Sequence, residues 1–203
     1  MAPRAIIFDI GRVIIRVRLS CALTDLGAES GLSAEQVWKA IEADPRWGDW
    51  QEGRMTPRDW HDHLTKKFLL SLTFDEFCNT WNRVLDPVPM LPESLFETLA
   101  SQCRLALLSN TDPIHVAHIE ATYTFVRNFP VRTYSCRLGS TKPAPSIYRH
   151  TLQTLKVSPN EALYIDDIPE YAAAAARLGM NAFHFTSPGE LYAELSRLGL
   201  IPL

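Results

Sequence analysis

From residue 92 onward, the sequence alternates between segments with helix character and segments with strand character. With the apolar run near the N-terminus, the strand-like segments are residues 4–8, 104–108, 131–135, 162–165 and 181–185. Helix-forming segments lie between the later strands, and a last helix begins after Ser187-Pro188. Such alternation is typical of a mostly parallel sheet covered by helices on both faces. The sequence therefore predicts an α/β fold.

The middle of the chain, about residues 19 to 85, has repeated helix starts and no strand pattern. Three pairs have the spacing of a capping box before an apolar-periodic segment: Ser33 with Gln36, Thr56 with Asp59, and Thr73 with Glu76. The proline-rich segment 86–92 is interpreted as a stiff connection that ends this region. We predict an inserted all-helical domain over residues 17–86, and a core domain made of residues 1–16 and 87–203.

Composition narrows the possible partners and location. The formal net charge of −3 gives no basis for binding nucleic acid or a membrane surface. No stretch approaches the roughly 20 apolar residues that span a bilayer, and Asp9 and Arg12 interrupt the N-terminal apolar run, which disfavours a signal peptide. The four widely spaced cysteines suit reduced thiols rather than disulfides or a metal site. We expect a cytoplasmic protein.

Polar residues follow three of the predicted strands where each strand ends. Asp9 follows the first, the pair Ser109-Asn110 the second, and the pair Asp166-Asp167 a later one, while Lys142 lies in a loop just before a helix. In a parallel sheet these groups meet at one edge. One carboxylate can attack, others can hold Mg²⁺, and a hydroxyl and an ammonium can bind an anion. Phosphoryl transfer needs such a set of groups.

Four segments in order, FDIG, LLSN, STKPAPSIY and YIDD, resemble the four motifs of the haloacid dehalogenase superfamily. The resemblance covers essentially the whole chain. It implies a three-layer, Rossmann-like core with a helical cap of the C1 type inserted after the first motif. The pattern is most similar to that of the sugar-1-phosphate phosphatases, of the glucose-1-phosphate type.

By this resemblance, Asp9 is the nucleophile that forms an aspartyl-phosphate, and it is also a ligand of Mg²⁺. The backbone carbonyl of Gly11 is a second ligand. Asp167 is the third protein ligand, with Asp166 beside it orienting the metal shell.

The other two motifs are implied to bind the phosphoryl group. Ser109 and the amide of Asn110 hold its oxygens, and Lys142 neutralises charge between Asp9 and the phosphate. The predicted function is a magnesium-dependent phosphatase that acts on a small phosphorylated metabolite, such as a sugar phosphate.

Two positions depart from the pattern of many phosphatases in the superfamily. Gly11 stands where a second aspartate serves as the general acid, and general acid–base assistance is typically worth about 10²–10⁴-fold. Tyr171 stands where an amide or carboxylate would lie near the metal. Two alternatives stay open: a catalytically silent module that binds phosphate and magnesium, and a metal-free 2-haloacid dehalogenase. A phosphomutase is disfavoured because shuttling a phosphate needs the missing acid.

The inserted region offers candidate contacts with the rest of the substrate. Trp47 and Trp50 lie in an aromatic, polar stretch, and sugar sites use aromatic faces. Packing within the helical region is the competing interpretation for both tryptophans. Arg12 is a candidate contact for a substrate anion. His61 and His63 are considered as replacements for the missing acid, but a solvated helix face is the favoured interpretation.

Overall fold

The computed structural model describes residues 2–202, and seven β-strands lie within this range. They are β1 (Ala5–Phe8), β2 (Ile15–Val17), β3 (Leu85–Pro89), β4 (Arg104–Ser109), β5 (Val131–Tyr134), β6 (Ala162–Asp166) and β7 (Asn181–His184). Five of them form one sheet in the order β5-β4-β1-β6-β7, and every neighbouring pair is parallel. The predicted parallel sheet is confirmed.

Helices connect these strands and cover the sheet. They are α1 (Ser20–Ala28), α2 (Ala34–Glu42), α3 (Trp47–Gln51), α4 (Pro57–Phe68), α5 (Phe74–Asn82), α6 (Glu93–Ala100), α7 (Pro113–Thr122), α8 (Ser135–Leu138), α9 (Pro145–Leu155), α10 (Pro169–Arg177) and α11 (Pro188–Arg197). Among residues 2–202, no helix combines the length and apolar character needed to cross a membrane.

The central strand β1 is buried on both faces, as expected for a strand in the middle of a parallel sheet. On one face, the ring of Phe8 packs edge-to-face against Phe96 and Phe129, with centroids 5.6 Å and 5.9 Å away. On the other face, Ile7 belongs to a separate apolar cluster that includes Ile147 and other residues of α9 and α10. Helices thus lie on both sides of the sheet, and the predicted three-layer α/β architecture is confirmed.

The helices α1–α5 enclose another apolar cluster, to which Ile114 of α7 also contributes. At its centre, the indole rings of Trp50 and Trp60 are stacked, with centroids 5.3 Å apart and planes 8° apart. The three predicted capping boxes are present, at the N-caps Ser33, Thr56 and Thr73. The division of the chain at residues 17 and 86 stays a prediction.

A short antiparallel ribbon of β2 and β3 lies at the two ends of the helical segment. The sequence predicted only a stiff connection over residues 86–92, and this prediction was wrong. Pro87 and Pro89 lack the N–H groups that a central strand needs. In the described part of the chain, β3 pairs with β2 alone, so the prolines occupy an edge strand, where they are tolerated. The ribbon continues into backbone hydrogen bonds from Arg18 N–H to Val84 O and from Met90 N–H to Ile14 O, both 2.7 Å.

Candidate active site

Three neighbouring strands bring their polar residues to one edge of the sheet. Asp9 directly follows β1, and Ser109 and Asp166 are the last residues of β4 and β6, which flank β1. The N–H of Asp9 donates to Ile165 O at 2.9 Å, which continues the parallel pairing to the strand end. The chain leaves β1 toward β4 on one side and later returns to β6 on the other. Such a switch point is where open α/β sheets bind ligands.

Lys142 joins two carboxylates at this edge. Its Nζ donates to Asp9 Oδ1 at 2.8 Å and to Asp166 Oδ2 at 2.7 Å, and Leu108 O lies at 3.4 Å. The whole residue is 3% exposed. Each of the three ammonium protons therefore has an acceptor nearby, and Lys142 is a fixed positive charge in the site.

Asn110 holds the backbone of Lys142 in place. Its Oδ1 accepts from Lys142 N–H at 2.7 Å, and its Nδ2 donates to Lys142 O at 3.0 Å. The sequence assigned Asn110 to the phosphoryl group through its amide, and no sequence signal indicated this pairing of the side chain. Its side chain positions the loop that delivers Lys142.

Asp166 is fully enclosed, and its hydrogen bonds fix its orientation. Besides Lys142, its Oδ2 accepts from the hydroxyl of Tyr164, and its Oδ1 accepts from Ile168 N–H at 2.8 Å. Asp167 is freer. Its Oδ2 lies 3.8 Å from Arg12 Nη1, and its side chain is 17% exposed. Both oxygens of Asp166 are therefore engaged within the protein, whereas Asp167 can still accept bonds from a ligand.

Burial sets the ionisation of these groups. It raises the pKa of Asp9 to about 6 against the opposing effect of Lys142, and the charges of Asp166 and Asp167 add to the rise. Burial alone would lower the pKa of the Lys142 ammonium, but the carboxylates of Asp9 and Asp166 outweigh this effect and raise the pKa. Burial also raises the pKa of Asp167. The site carries excess negative charge, which a bound cation can offset.

The carboxylates of Asp9, Asp166 and Asp167 fit a divalent cation. One oxygen from each lies within 4.8 Å of the others, and Mg²⁺ binds carboxylate oxygens at about 2.0–2.1 Å. Three carboxylates and the ammonium of Lys142 leave a formal charge of about −2 when all are ionised, and oxygen donors are the ligands that Mg²⁺ prefers. The backbone of Gly11 lies on the same cavity.

A cavity of about 350 Å³ opens over this edge of the sheet. It is lined at its base by what we call the polar floor: Asp9, Ser109, Lys142 and Asp167, with Asp166 enclosed behind Lys142. Gly11, Arg12 and Asn110 line it as well, so the cavity brings together the residues that the sequence assigned to nucleophile, phosphate and metal. Arg12 has a left-handed backbone (φ 58°), and its exposed guanidinium lies on the Asp167 side.

The opposite side of the cavity is apolar and comes largely from the helical segment. We call it the apolar wall: Leu19, Leu23, Trp38, Trp47, Trp81 and Leu85. Trp38 and Trp47 are partly exposed, and their rings meet edge-to-face at 5.7 Å. Trp47 therefore lies where the sequence placed a substrate contact.

Trp50 does not. Its side chain is fully buried, stacks on Trp60 and does not line the cavity. The predicted substrate contact is therefore corrected to packing within the helical segment. His61 and His63 also lie away from the cavity: His61 Nε2 is 3.0 Å from Leu72 O, and His63 Nε2 is 2.8 Å from Asp44 Oδ2. Neither can replace a proton donor at Gly11.

One charged pair on the cavity was missed by sequence reasoning. Asp112 caps α7 by accepting from the N–H groups of Ile114 and His115, and His115 Nδ1 lies 2.7 Å from Asp112 Oδ2. His115 Nε2 lies 3.1 Å from Trp81 O, and Trp81 Nε1 donates to Asp112 at 3.1 Å. Burial alone would lower the pKa of His115, but the neighbouring carboxylate of Asp112 outweighs this effect and raises the pKa. The spacing Asp-x-x-His at a helix start was the available signal.

Comparison with known proteins gives the family. A model described as haloacid dehalogenase-like hydrolase matches residues 3–179. Among curated proteins, D-ribitol-5-phosphate phosphatase of Bacteroides thetaiotaomicron is 23% identical over 206 residues, covering 94% of this chain and 96% of that protein. Acyl-CoA dehydrogenase family member 10 of Mus musculus is 30% identical over 125 residues, which are 61% of this chain and 12% of the length of that protein.

Solved structures share the fold. A haloacid dehalogenase family enzyme of Bacteroides thetaiotaomicron, in complex with magnesium and inorganic phosphate, superposes with a TM-score of 0.81 at 20% identity, over 92% of this chain and 96% of that one. A protein from Porphyromonas gingivalis, described as a predicted hydrolase of this family, gives a TM-score of 0.78 at 24% identity, over 98% of both chains.

Proposed function

The chain belongs to the haloacid dehalogenase-like hydrolases, and from that premise we propose that it is a magnesium-dependent phosphatase of small phosphorylated metabolites. The observation that supports this most is the buried carboxylate of Asp9, held by Lys142 at 2.8 Å in a cavity that two further carboxylates adjoin. A nucleophile, a fixed cation and a cation site then lie within one small volume. Phosphoryl transfer depends on positioning and charge neutralisation of this kind.

In this proposal, a carboxylate oxygen of Asp9 attacks the phosphorus atom. The new O–P bond forms as the ester P–O bond breaks, and the leaving oxygen takes the electron pair. A water molecule then attacks the same phosphorus, loses a proton to solvent, and releases the Asp9 carboxylate and inorganic phosphate. Lys142 holds Asp9 in a single orientation and offsets the charge that gathers on the phosphoryl oxygens.

The remaining groups of the polar floor bind and orient. Ser109 offers a hydroxyl to a phosphoryl oxygen. The carboxylates of Asp9 and Asp167, with Asp166 behind and the Gly11 carbonyl beside them, would hold Mg²⁺. Mg²⁺ supplies charge neutralisation on phosphoryl oxygens when it is bound. The magnesium and phosphate in the Bacteroides thetaiotaomicron enzyme support this assignment.

The substrate proposed from the sequence pattern is a sugar phosphate, and a sugar-1-phosphate in particular. The acidic hemiacetal oxygen of a sugar-1-phosphate leaves more easily than an ordinary alcohol, which suits a site without an acid at Gly11. The Bacteroides relative is named for a polyol phosphate, which supports the broader class. We also propose that residues 17–86 form a C1-type cap over a core of residues 1–16 and 87–203.

The test is phosphate release from a panel of phosphate monoesters, with magnesium and with EDTA. We expect magnesium-dependent release by the wild-type protein and none by Asp9→Asn. If the wild-type protein releases no phosphate from any sugar phosphate or aryl phosphate, the proposed phosphatase activity is wrong.

A second candidate is a catalytically silent module that binds phosphate and magnesium. Gly11 favours it, because the side chain that usually moves the proton is absent. Magnesium-dependent binding of beryllofluoride without turnover of any ester would support this candidate. The metal-free 2-haloacid dehalogenase is disfavoured, since the pair Asp166-Asp167 has no use in that reaction. Halide release that persists in EDTA would favour it.

A further inference from the structure

The cavity extends beyond the polar floor along the apolar wall. We propose that the substrate is an aryl phosphate: an ester whose organic part is a flat, mainly apolar ring system, with the bridging oxygen bonded directly to the ring. This inference rests on the proposed phosphatase function alone. It is an alternative to the sugar phosphate that the sequence pattern favours, and the esters compared below decide between the two.

The apolar wall has the shape and chemistry to hold a flat ring. The ring planes of Trp38 and Trp47 lie 84° apart, so together they form a corner of two aromatic surfaces. Both side chains are partly exposed, while Leu23 and Leu85 of the same wall are buried. A flat ring gains contact on such surfaces and removes apolar area from water. The cavity volume of about 350 Å³ falls in the range typical of sites for small organic ligands.

Two polar side chains beside the wall, Asp112 and His115, are already paired with protein groups. Asp112 accepts from Trp81 Nε1, from the N–H groups of Ile114 and His115, and from His115 Nδ1. His115 Nε2 is engaged by Trp81 O. A sugar carries several hydroxyls, and each one buried against apolar surface without a partner is unfavourable. Glu42 and Gln51 also line the cavity, and they suit one polar substituent on the edge of a ring.

The described cavity also favours an ester whose leaving group needs no proton donor. Gly11 provides no proton, and His115 directs both ring nitrogens to partners within the protein. When the bond from Asp9 to phosphorus forms, the electron pair of the breaking bond stays on the bridging oxygen. A phenolate spreads that charge into its ring and leaves without help, then takes a proton from water. An alkoxide does not, so the absence of an acid selects for an aryl oxygen.

Four esters separate ring shape from leaving-group acidity. 2-Naphthyl phosphate is flat with an acidic leaving oxygen, and 2-naphthylmethyl phosphate is flat without one. Glucose 1-phosphate and ribitol 5-phosphate are the corresponding hydroxylated pair. With magnesium present, we expect kcat/KM to be highest for 2-naphthyl phosphate and lowest for ribitol 5-phosphate. 2-Naphthylmethyl phosphate and ribitol 5-phosphate both release a primary alcohol, so between these two the flat ester should exceed the hydroxylated one by on the order of 10-fold.

A variant of the wall tests the contact itself. Trp47→Leu should lower the ratio of kcat/KM for 2-naphthyl phosphate to kcat/KM for acetyl phosphate, which has no ring, by roughly 10-fold. Damage to the fold would lower both values and leave the ratio unchanged. A ratio that does not change while kcat/KM for acetyl phosphate keeps its wild-type value overturns the substrate class, and so do hydroxylated esters that exceed the flat ones; the phosphatase function stands in both cases. If no ester is hydrolysed, the phosphatase function fails, and this inference fails with it.

Discussion

The polar floor and the apolar wall face each other across one cavity, and they are built in different ways. On the floor, Lys142 contacts Asp9, Asp166 and a backbone carbonyl, and Asp166 accepts bonds from two further groups. In the wall, Trp38 and Trp47 meet through ring contacts alone and keep part of their surface exposed. A change on the floor leaves a buried charge without its partner, whereas a change at Trp38 or Trp47 alters only shape and apolar area. The floor therefore sets the chemistry, and the wall is free to set selectivity.

The largest effect is expected at the nucleophile on the floor. Asp9→Asn keeps the shape of the residue and leaves Lys142 its contact with Asp166, so the fold should persist. Turnover of any phosphate ester should fall on the order of 10⁴-fold or more, as for loss of a covalent nucleophile. Steady-state phosphate release, with circular dichroism to check the fold, measures this. Residual turnover within tenfold of the wild-type rate would show that Asp9 is not the nucleophile.

The next effect is a gain of activity, at Gly11 on the cavity. A Cβ atom at Gly11 would lie 3.5 Å from Val17 Cγ2, an ordinary van der Waals contact, so Gly11→Asp should fit. It should restore a proton donor and raise turnover of esters with weakly acidic leaving groups by about 10²–10⁴-fold. Esters with acidic leaving groups should change little.

Gly11→Asn is the matched control, because it has the same size and cannot transfer the proton. The comparison of the two variants on ribitol 5-phosphate and 2-naphthyl phosphate isolates the carboxyl group. Equal rates for both variants on ribitol 5-phosphate would mean that proton transfer does not limit this enzyme.

The stability of the floor depends on its one buried ammonium. Lys142→Met leaves Asp9 and Asp166 facing each other without a cation, and the free energy of unfolding in EDTA should fall by about 3–5 kcal/mol. Magnesium should recover part of the loss by offsetting the same charge. Urea unfolding measures both. Lys39→Met removes an exposed partner of Glu35 and should cost under about 0.5 kcal/mol. Equal losses for the two variants would mean that Lys142 does not stabilise the floor by offsetting buried negative charge.

The smallest effect concerns a charge in the helical segment, outside the cavity. Burial opposes ionisation of Asp44, but bonds from Lys67, Arg46 N–H and His63 outweigh it and hold its pKa at about 2, below the ordinary 3.8. Because the pKa is lowered on folding, this stabilisation is present above pH 3.8 and is lost as the pH falls toward 2. It amounts to about 2 kcal/mol. Unfolding at pH 6 and pH 3 should show a smaller pH dependence for Asp44→Asn than for the wild type.

The same contrast explains what the sequence could predict. Asp9, Ser109 and Asp166 were found because strand ends are visible in sequence and parallel strands bring their ends together. Lys142 was found because its loop precedes a helix in a recognisable motif. These inferences need only element order and chain direction.

The rest depended on how side chains pack, which has no local signature. Trp47 and Trp50 are three residues apart, yet Trp47 borders the cavity and Trp50 is stacked behind it on Trp60. The pairing of Asn110 with the Lys142 backbone joins residues 32 positions apart, and only the folded chain brings them together. The strand β3 was missed because its prolines are acceptable only on an edge, and an edge is a tertiary property.

The most direct test of the account is to look for the covalent intermediate itself. Wild-type protein with magnesium and 2-naphthyl phosphate is quenched in acid within milliseconds, digested and analysed by mass spectrometry. We predict that the peptide containing Asp9 gains the mass of one phosphoryl group and that EDTA abolishes this gain. In the Asp9→Asn variant, the corresponding peptide should show no gain in mass. Phosphate release without any phosphorylated Asp9 peptide, or a phosphoryl group on another residue, would contradict this prediction.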